Sequence, residues 1–150
     1  MVGESQLTKI QREILAGVVS TVNGCWFCVG AHKATLEALG AERGILEALD
    51  GPVDALPVDE RFRVLLQYAV KLTRTPNDME QEDVTAILAA GWSEQTLEDA
   101  INVAALFNYV NRLVDAFGIE GNERYFRSVG TALASNGYAP LLQRAVKRAS

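Results

Sequence analysis

Between Ile14 and Ala31 the chain runs for eighteen residues without a charged side chain, and Asn23-Gly24 interrupts that run. A membrane helix needs about 20 consecutive apolar residues, so the stretch has to be tested as a span. Ser20, Thr21 and Asn23 dilute it, and Asn-Gly is a turn signal that cuts it into two shorter helices. The run therefore predicts a helical hairpin near the start of the chain, and not a membrane anchor.

The flanking pattern agrees. Ile10, Ile14, Leu15, Val18, Val19 and Val22 recur at three-to-four spacing, which predicts an amphipathic helix over residues 7–22. A second helix is expected from Cys25 through Leu39, capped by Gly40, and a short third one from Ala41 to Leu49. Gly51, Pro52 and Pro57 mark a loop. Asp59 then caps a fourth helix whose apolar stripe is Phe62, Leu65, Leu66, Ala69, Val70 and Leu72, and Pro76 ends it. Asn77 or Asp78 is expected to open a fifth helix ending near Gly91. Ser93 is the N-cap of a sixth that reaches Phe117, with Gly118 beyond it. No turn-bounded run of alternating β-branched residues competes for a sheet. The expected class is all-α, a bundle of six to seven helices, with residues 1–150 as a single domain.

The 150 residues carry 49% apolar and 22% charged side chains, enough to bury a core without disulfides. A net charge of -5 with no basic block argues against nucleic acid and anionic membrane as partners. Residues 1–11 hold no apolar segment after a basic start, so no signal peptide is read and a reducing cytoplasm is expected. The sixth helix carries Leu97, Ile101, Val103, Ala104, Leu106, Phe107, Tyr109, Val110, Leu113, Val114 and Phe117, too many for one stripe. Such a helix is either central or covered by another subunit, and a homo-oligomer is expected.

Both cysteines and the one histidine of the chain fall within eight residues, Cys25-Trp26-Phe27-Cys28-Val29-Gly30-Ala31-His32. If the second helix begins at Cys25, Cys28 lies one turn in and His32 is its i+4 neighbour, on one face. A helix N-terminus lowers a thiol's pKa from about 8.5 towards about 7, making the nucleophilic thiolate. That logic alone favours Cys25 as the reactive and more exposed thiol. Glu13 stands twelve residues before Cys25. A hairpin about Asn23-Gly24 returns Glu13 and His32 to one level on facing helices, where the carboxylate can orient the imidazole that takes a proton from Cys28.

The pattern Glu-x11-Cys-x2-Cys-x3-His, filled by Glu13, Cys25, Cys28 and His32, resembles the signature of the AhpD-like alkylhydroperoxidases within the carboxymuconolactone decarboxylase superfamily. Val18-Val19-Ser20, Ala31-His32, Phe107-Asn108 and Asn111-Arg112 extend the likeness over most of the chain. The resemblance implies an all-helical oligomer, commonly trimeric or hexameric, that reduces hydroperoxides by oxidising its cysteine pair to a disulfide. A dithiol, thioredoxin-like or lipoyl-type, would restore it. By the family's pattern Cys28 takes the peroxide oxygen and Cys25 resolves the sulfenic acid; no cofactor is implied. Phe27 departs from the best-studied pattern, which has a second relay histidine there. Trp26 and Phe27 would make the mouth apolar, suiting an organic hydroperoxide or a lipoyl-type thiol.

Three other readings stand beside this one. Two thiolates, an imidazole and a carboxylate could complete a zinc tetrahedron, although a domain of this size needs no such clamp. Other superfamily members decarboxylate a lactone without any CxxC. A redox-sensing oligomer would switch assembly and turn nothing over. A c-type haem is excluded, because its histidine directly follows the second cysteine. Asn108 and Arg112 read as helix packing as readily as site residues, Trp92 as packing, and Lys147 and Arg148 as solvated surface.

Overall fold

The computed structural model describes Met1 and residues 3–140. Its order is α1 (Lys9–Val22), α2 (Trp26–Ala38), α3 (Arg43–Ala48), α4 (Glu60–Arg74), α5 (Gln81–Ala89), α6 (Glu94–Ala116) and α7 (Glu123–Asn136), with no strand among the described residues. None of these helices is long and apolar enough to cross a membrane. The all-α class is as expected. Lys147 and Arg148 lie outside the described residues.

The innermost helix is α1, where every residue from Glu13 to Ser20 is buried and α2, α4 and α6 pack around it. Its start is set by a capping box, in which the Thr8 hydroxyl accepts from the Gln11 N–H and the Gln11 side chain accepts from the Thr8 N–H. The helix thus begins at Lys9, two residues later than its apolar period suggested. At its other end Gly24 takes φ +71°, and the Cys25 N–H donates to the Ser20 carbonyl at 3.0 Å, turning the chain back into α2. Most residues pay a steric penalty at such a φ and glycine does not, which is why Asn23-Gly24 makes the hairpin.

Of the two alternatives for α6, a central position within the chain is not what the structure shows. One face buries Leu97, Ala100, Val103, Ala104, Phe107 and Val114 against the bundle, while Leu106, Tyr109, Leu113 and Phe117 stay exposed. The apolar surplus of this helix is therefore an unshared outer stripe.

Asp59 caps α4 through the Phe62 N–H, and Ser93 caps α6 through the Thr96 N–H, as read from the sequence. α5 starts at Gln81, later than Asn77 or Asp78, because Pro76–Asp78 forms a 3-10 turn and Glu80 caps instead. Asp83 closes that cap and also pairs with Lys71 of α4. Trp92 packs as expected, donating to the Arg61 carbonyl beneath the stacked Arg61 guanidinium.

α7 lies along α2, and their approach depends on glycine. A Cβ at Gly130 would stand 2.5 Å from the Ala34 backbone carbonyl, and one at Gly30 would stand 2.8 Å from the Phe126 ring. This contact brings Tyr125, Phe126 and Tyr138 over the CxxC helix.

Candidate active site at the head of the second helix

Glu13 and His32 meet as the hairpin geometry requires: His32 Nδ1 donates to Glu13 Oε2 at 2.7 Å, with both side chains buried. The same oxygen accepts a second bond, from the Tyr138 hydroxyl at 3.2 Å. Burial and the adjacent Glu13 push the Tyr138 phenol well above its ordinary pKa, so it stays a donor. The imidazole stands edge-on to Phe107, with centroids 4.5 Å apart. With Nδ1 committed to Glu13, Nε2 is the free base position. It is buried and has no hydrogen-bond partner among the described residues.

The cysteines are both free thiols. Cys25 is the N-cap of α2, and Cys28 sits in its first turn, against Val114 and Val110 of α6. Two expectations fail here. Cys25 is not the more exposed thiol: its exposure is 0%, against 4% for Cys28. Nor is Cys25 acidified. Burial, then contact with the Cys28 thiol, pushes it up to about 12, while the Cys28 backbone N–H acts in the opposite direction and is outweighed. The helix-terminus effect exists, but desolvation of a fully enclosed sulfur exceeds it.

Outside the pair lies a cleft of about 420 Å³ whose apolar wall is Trp26, Phe27, Ile119 and Phe126. Trp26 is exposed, whereas Phe27 is clamped between Tyr125 and Phe126, each ring centroid 5.6 Å away. The cleft is lined by neither cysteine, and Phe27 serves chiefly as an anchor for α7. Asp115 and Glu120 add an acidic edge to the cleft. A larger open groove of about 610 Å³ runs along α7, lined by polar side chains of that helix, and holds none of the candidate residues.

Asn108 and Arg112 belong to a packing network and not to the site. Asn23 donates to Asn108 Oδ1 at 3.2 Å and to Asn111 Oδ1 at 2.9 Å, Asn111 donates to the Ser20 hydroxyl at 3.0 Å, and Asn108 donates to the Thr73 hydroxyl at 3.1 Å. Arg112 donates to the Asn108 carbonyl. The network pins the turn ahead of Cys25 to α4 and α6. Among the described residues no three His, Cys, Asp or Glu side chains converge as a metal cluster, and the Glu13 carboxylate is turned to His32 Nδ1.

Sequence reasoning pointed to Glu13, Cys25, Cys28 and His32 but missed Tyr138, which bonds to Glu13. It lies far from the motif in the chain, and a single tyrosine carries no local signal.

An all-helical bundle with a CxxC at the head of a helix and a buried Glu–His pair behind it defines a dithiol-bearing helical protein. The carboxymuconolactone decarboxylase family model matches residues 1–70. Over 50 residues the chain is 40% identical to the alkyl hydroperoxide reductase AhpD of Mycobacteroides abscessus, a match covering 33% of this chain and 29% of that protein. An uncharacterized peroxidase-related protein from a Silicibacter species superposes with a TM-score of 0.79 at 36% identity, over 84% of this chain and 66% of the other. A second such protein, an alkylhydroperoxidase AhpD core from Ralstonia eutropha, gives 0.79 at 24% identity, over 87% and 68%, and shares the fold. Residues 1–70 thus match the carboxymuconolactone decarboxylase family, and the helical fold as a whole is similar to that of these peroxidase-related and AhpD-core proteins. The chain spans about two thirds of the length of these solved relatives.

Proposed function

We propose that the protein is a thiol-dependent peroxidase that reduces organic hydroperoxides through Cys25 and Cys28. The observation that carries this reading is the Glu13–His32 pair, one turn beyond Cys28, with Nδ1 held at 2.7 Å and Nε2 left without a partner. Glu13 orients the ring and stabilises its charge, and His32 Nε2 takes the Cys28 proton, as base and orienter do in other activated nucleophiles. The thiolate attacks one oxygen of the hydroperoxide, the O–O bond breaks, and the departing alkoxide takes the proton to become the alcohol. Cys28 is left as a sulfenic acid. Cys25 attacks that sulfur, water leaves, and a disulfide forms. A dithiol such as a lipoyl group exchanges with the disulfide, returning two thiols and leaving oxidised.

The apolar wall of Trp26, Phe27, Ile119 and Phe126 favours an organic hydroperoxide over hydrogen peroxide. Both thiols suit a reducing, cytoplasmic setting. The outer stripe of Leu106, Tyr109, Leu113 and Phe117 supports assembly with further copies of the chain, a trimer or hexamer by family resemblance. A lactone decarboxylase reading rests on the family's name alone.

The test is steady-state consumption of cumene hydroperoxide with dihydrolipoamide as reductant, compared across the wild type, Cys28→Ser and His32→Gln. Cys28→Ser abolishes turnover. His32→Gln turns over slowly and recovers as pH rises, because hydroxide then removes the thiol proton directly. Equal, pH-independent loss in both variants rejects the relay, and no wild-type turnover rejects the peroxidase reading.

A further inference from the structure

Tyr138 reaches Glu13 because the chain reverses at the end of α7. Gly137 takes φ +63° and ψ -161°, a conformation left almost wholly to glycine, and its N–H donates to the Leu133 carbonyl at 2.8 Å. A Cβ at Gly137 would meet no atom within 4 Å, so the backbone alone demands glycine there. The next residue is thereby turned back onto the bundle. The Tyr138 ring stands edge-on to Phe107, with centroids 6.5 Å apart, and Phe107 in turn stands against His32.

The hydroxyl lands on the carboxylate oxygen that holds the imidazole. Glu13 Oε2 accepts from His32 Nδ1 at 2.7 Å and from the Tyr138 hydroxyl at 3.2 Å. Burial and then the Glu13 charge push the phenol well above its ordinary pKa, so it donates throughout the neutral range. Beside the carboxylate lies a cavity of about 30 Å³, room for a single water, lined by Glu13, Tyr138, Thr35, Leu133, Lys9 and Arg12. Lys9 is exposed and Arg12 partly so, which sets the cavity at the water-facing edge of α1. The Tyr138 hydroxyl occupies the acceptor site on Glu13 that a water in this cavity would otherwise take.

We propose that Tyr138 is a positioning residue of the relay: it anchors the Glu13 carboxylate and keeps water from Oε2, so that His32 Nδ1 has one fixed acceptor and Nε2 stays the base for Cys28. This role rests on the Glu13–His32–Cys28 relay proposed above and adds a side chain delivered by α7. Tyr138 acts through Glu13 and gives up no proton itself. Without its hydroxyl the carboxylate is free to turn, water reaches the Nδ1–H bond, and the imidazole is no longer held in one orientation. Cys28 is then a thiolate less often, and only the thiolate is alkylated.

The test reads the single histidine of the chain and Cys28 together, on the reduced full chain, and needs no peroxide. Tyr138→Phe keeps the ring on Phe107 and removes only the hydroxyl. In it the Nδ1–H proton resonance broadens through exchange with water, and alkylation of Cys28 by iodoacetamide slows about tenfold, within the about hundredfold that a misplaced catalytic group can cost. Gly137→Ala keeps the hydroxyl but shifts it, and gives the same two changes. The sign separates this role from a structural one, because a variant that merely loosened α7 would uncover Cys28 and speed its alkylation. His32→Gln serves as the reference and slows alkylation through loss of the base itself. A wild-type or faster alkylation rate in either variant, or an Nδ1–H resonance as sharp as in the wild type, overturns the proposal. If His32→Gln is slow and Tyr138→Phe is not, the relay stands without Tyr138; if His32→Gln alkylates at the wild-type rate, the relay fails and the proposal with it.

Discussion

Glu13 and His32, on facing arms of one hairpin, share a 2.7 Å hydrogen bond inside the bundle, and Tyr138 donates to the same carboxylate oxygen from beyond α7. Three side chains distant in sequence thereby fix one imidazole tautomer. Replacing Glu13 by Ala leaves His32 Nδ1 buried without an acceptor and should cost about 1–3 kcal/mol of stability. Glu13→Gln keeps the shape and should cost less. Both should slow Cys28 oxidation about tenfold or more, as expected for a disabled base. Urea unfolding alongside the rate of peroxide consumption separates the two effects.

Alkaline pH should destabilise the protein through two groups. The folded-state values of Cys25 and Tyr138 both lie above their ordinary ones of 9.0 and 10.0, so each stays protonated in the fold where the unfolded chain releases its proton. The unfolded state then binds fewer protons, and unfolding free energy falls as pH rises. The stability held below pH 9 is lost progressively above it, towards about 12 for Cys25. Urea midpoints between pH 8 and 11 should fall, and Cys25→Ser and Tyr138→Phe should each flatten the slope. A midpoint independent of pH contradicts the burial of both groups.

Phe27→His restores a residue type common to the related pattern, yet it removes a ring that stacks on Tyr125 and Phe126 at 5.6 Å each. Each such aromatic contact is worth about 0.5–1.5 kcal/mol beyond its buried area. The variant should unfold at lower temperature and gain no peroxidase rate, because position 27 serves the α2–α7 contact. A faster enzyme of unchanged melting temperature would show that this ring is dispensable.

Gly130→Ala places a methyl group 2.5 Å from the Ala34 carbonyl, and backbone cannot step aside as a side chain can. Overpacking of this kind costs about 1–3 kcal/mol. Because α7 also carries the Phe27 clamp towards the site, the thermal shift should come with greater access to Cys28, measured as faster alkylation by iodoacetamide.

The hairpin, the caps at Asp59 and Ser93 and the span of α6 were legible because each depends on residues close together in sequence: Asn23-Gly24, a capping side chain, an apolar period. The four motif residues were legible for the same reason, and the return of Glu13 to His32 followed from hairpin arithmetic. What escaped depends on tertiary placement. The reversal of the cysteine expectation came from burial: local helix geometry acidifies a thiol at an N-terminus, but this one is enclosed in a cluster with Cys28 and Val114. Whether α6 is central or carries an outer apolar stripe stayed open in the sequence, because its apolar residues cover more than one face and only packing decides which helix is surrounded. Tyr138 reaches the site across 125 residues from Glu13, a distance no local motif encodes.

The measurement that tests the central claim most directly is thiol content with intact mass, on metal-free protein given one equivalent of cumene hydroperoxide and then dihydrolipoamide. The account predicts loss of two hydrogens confined to Cys25 and Cys28, reversed fully by the dithiol. Thiols that remain reduced under the peroxide, or that are protected by stoichiometric zinc, would contradict it.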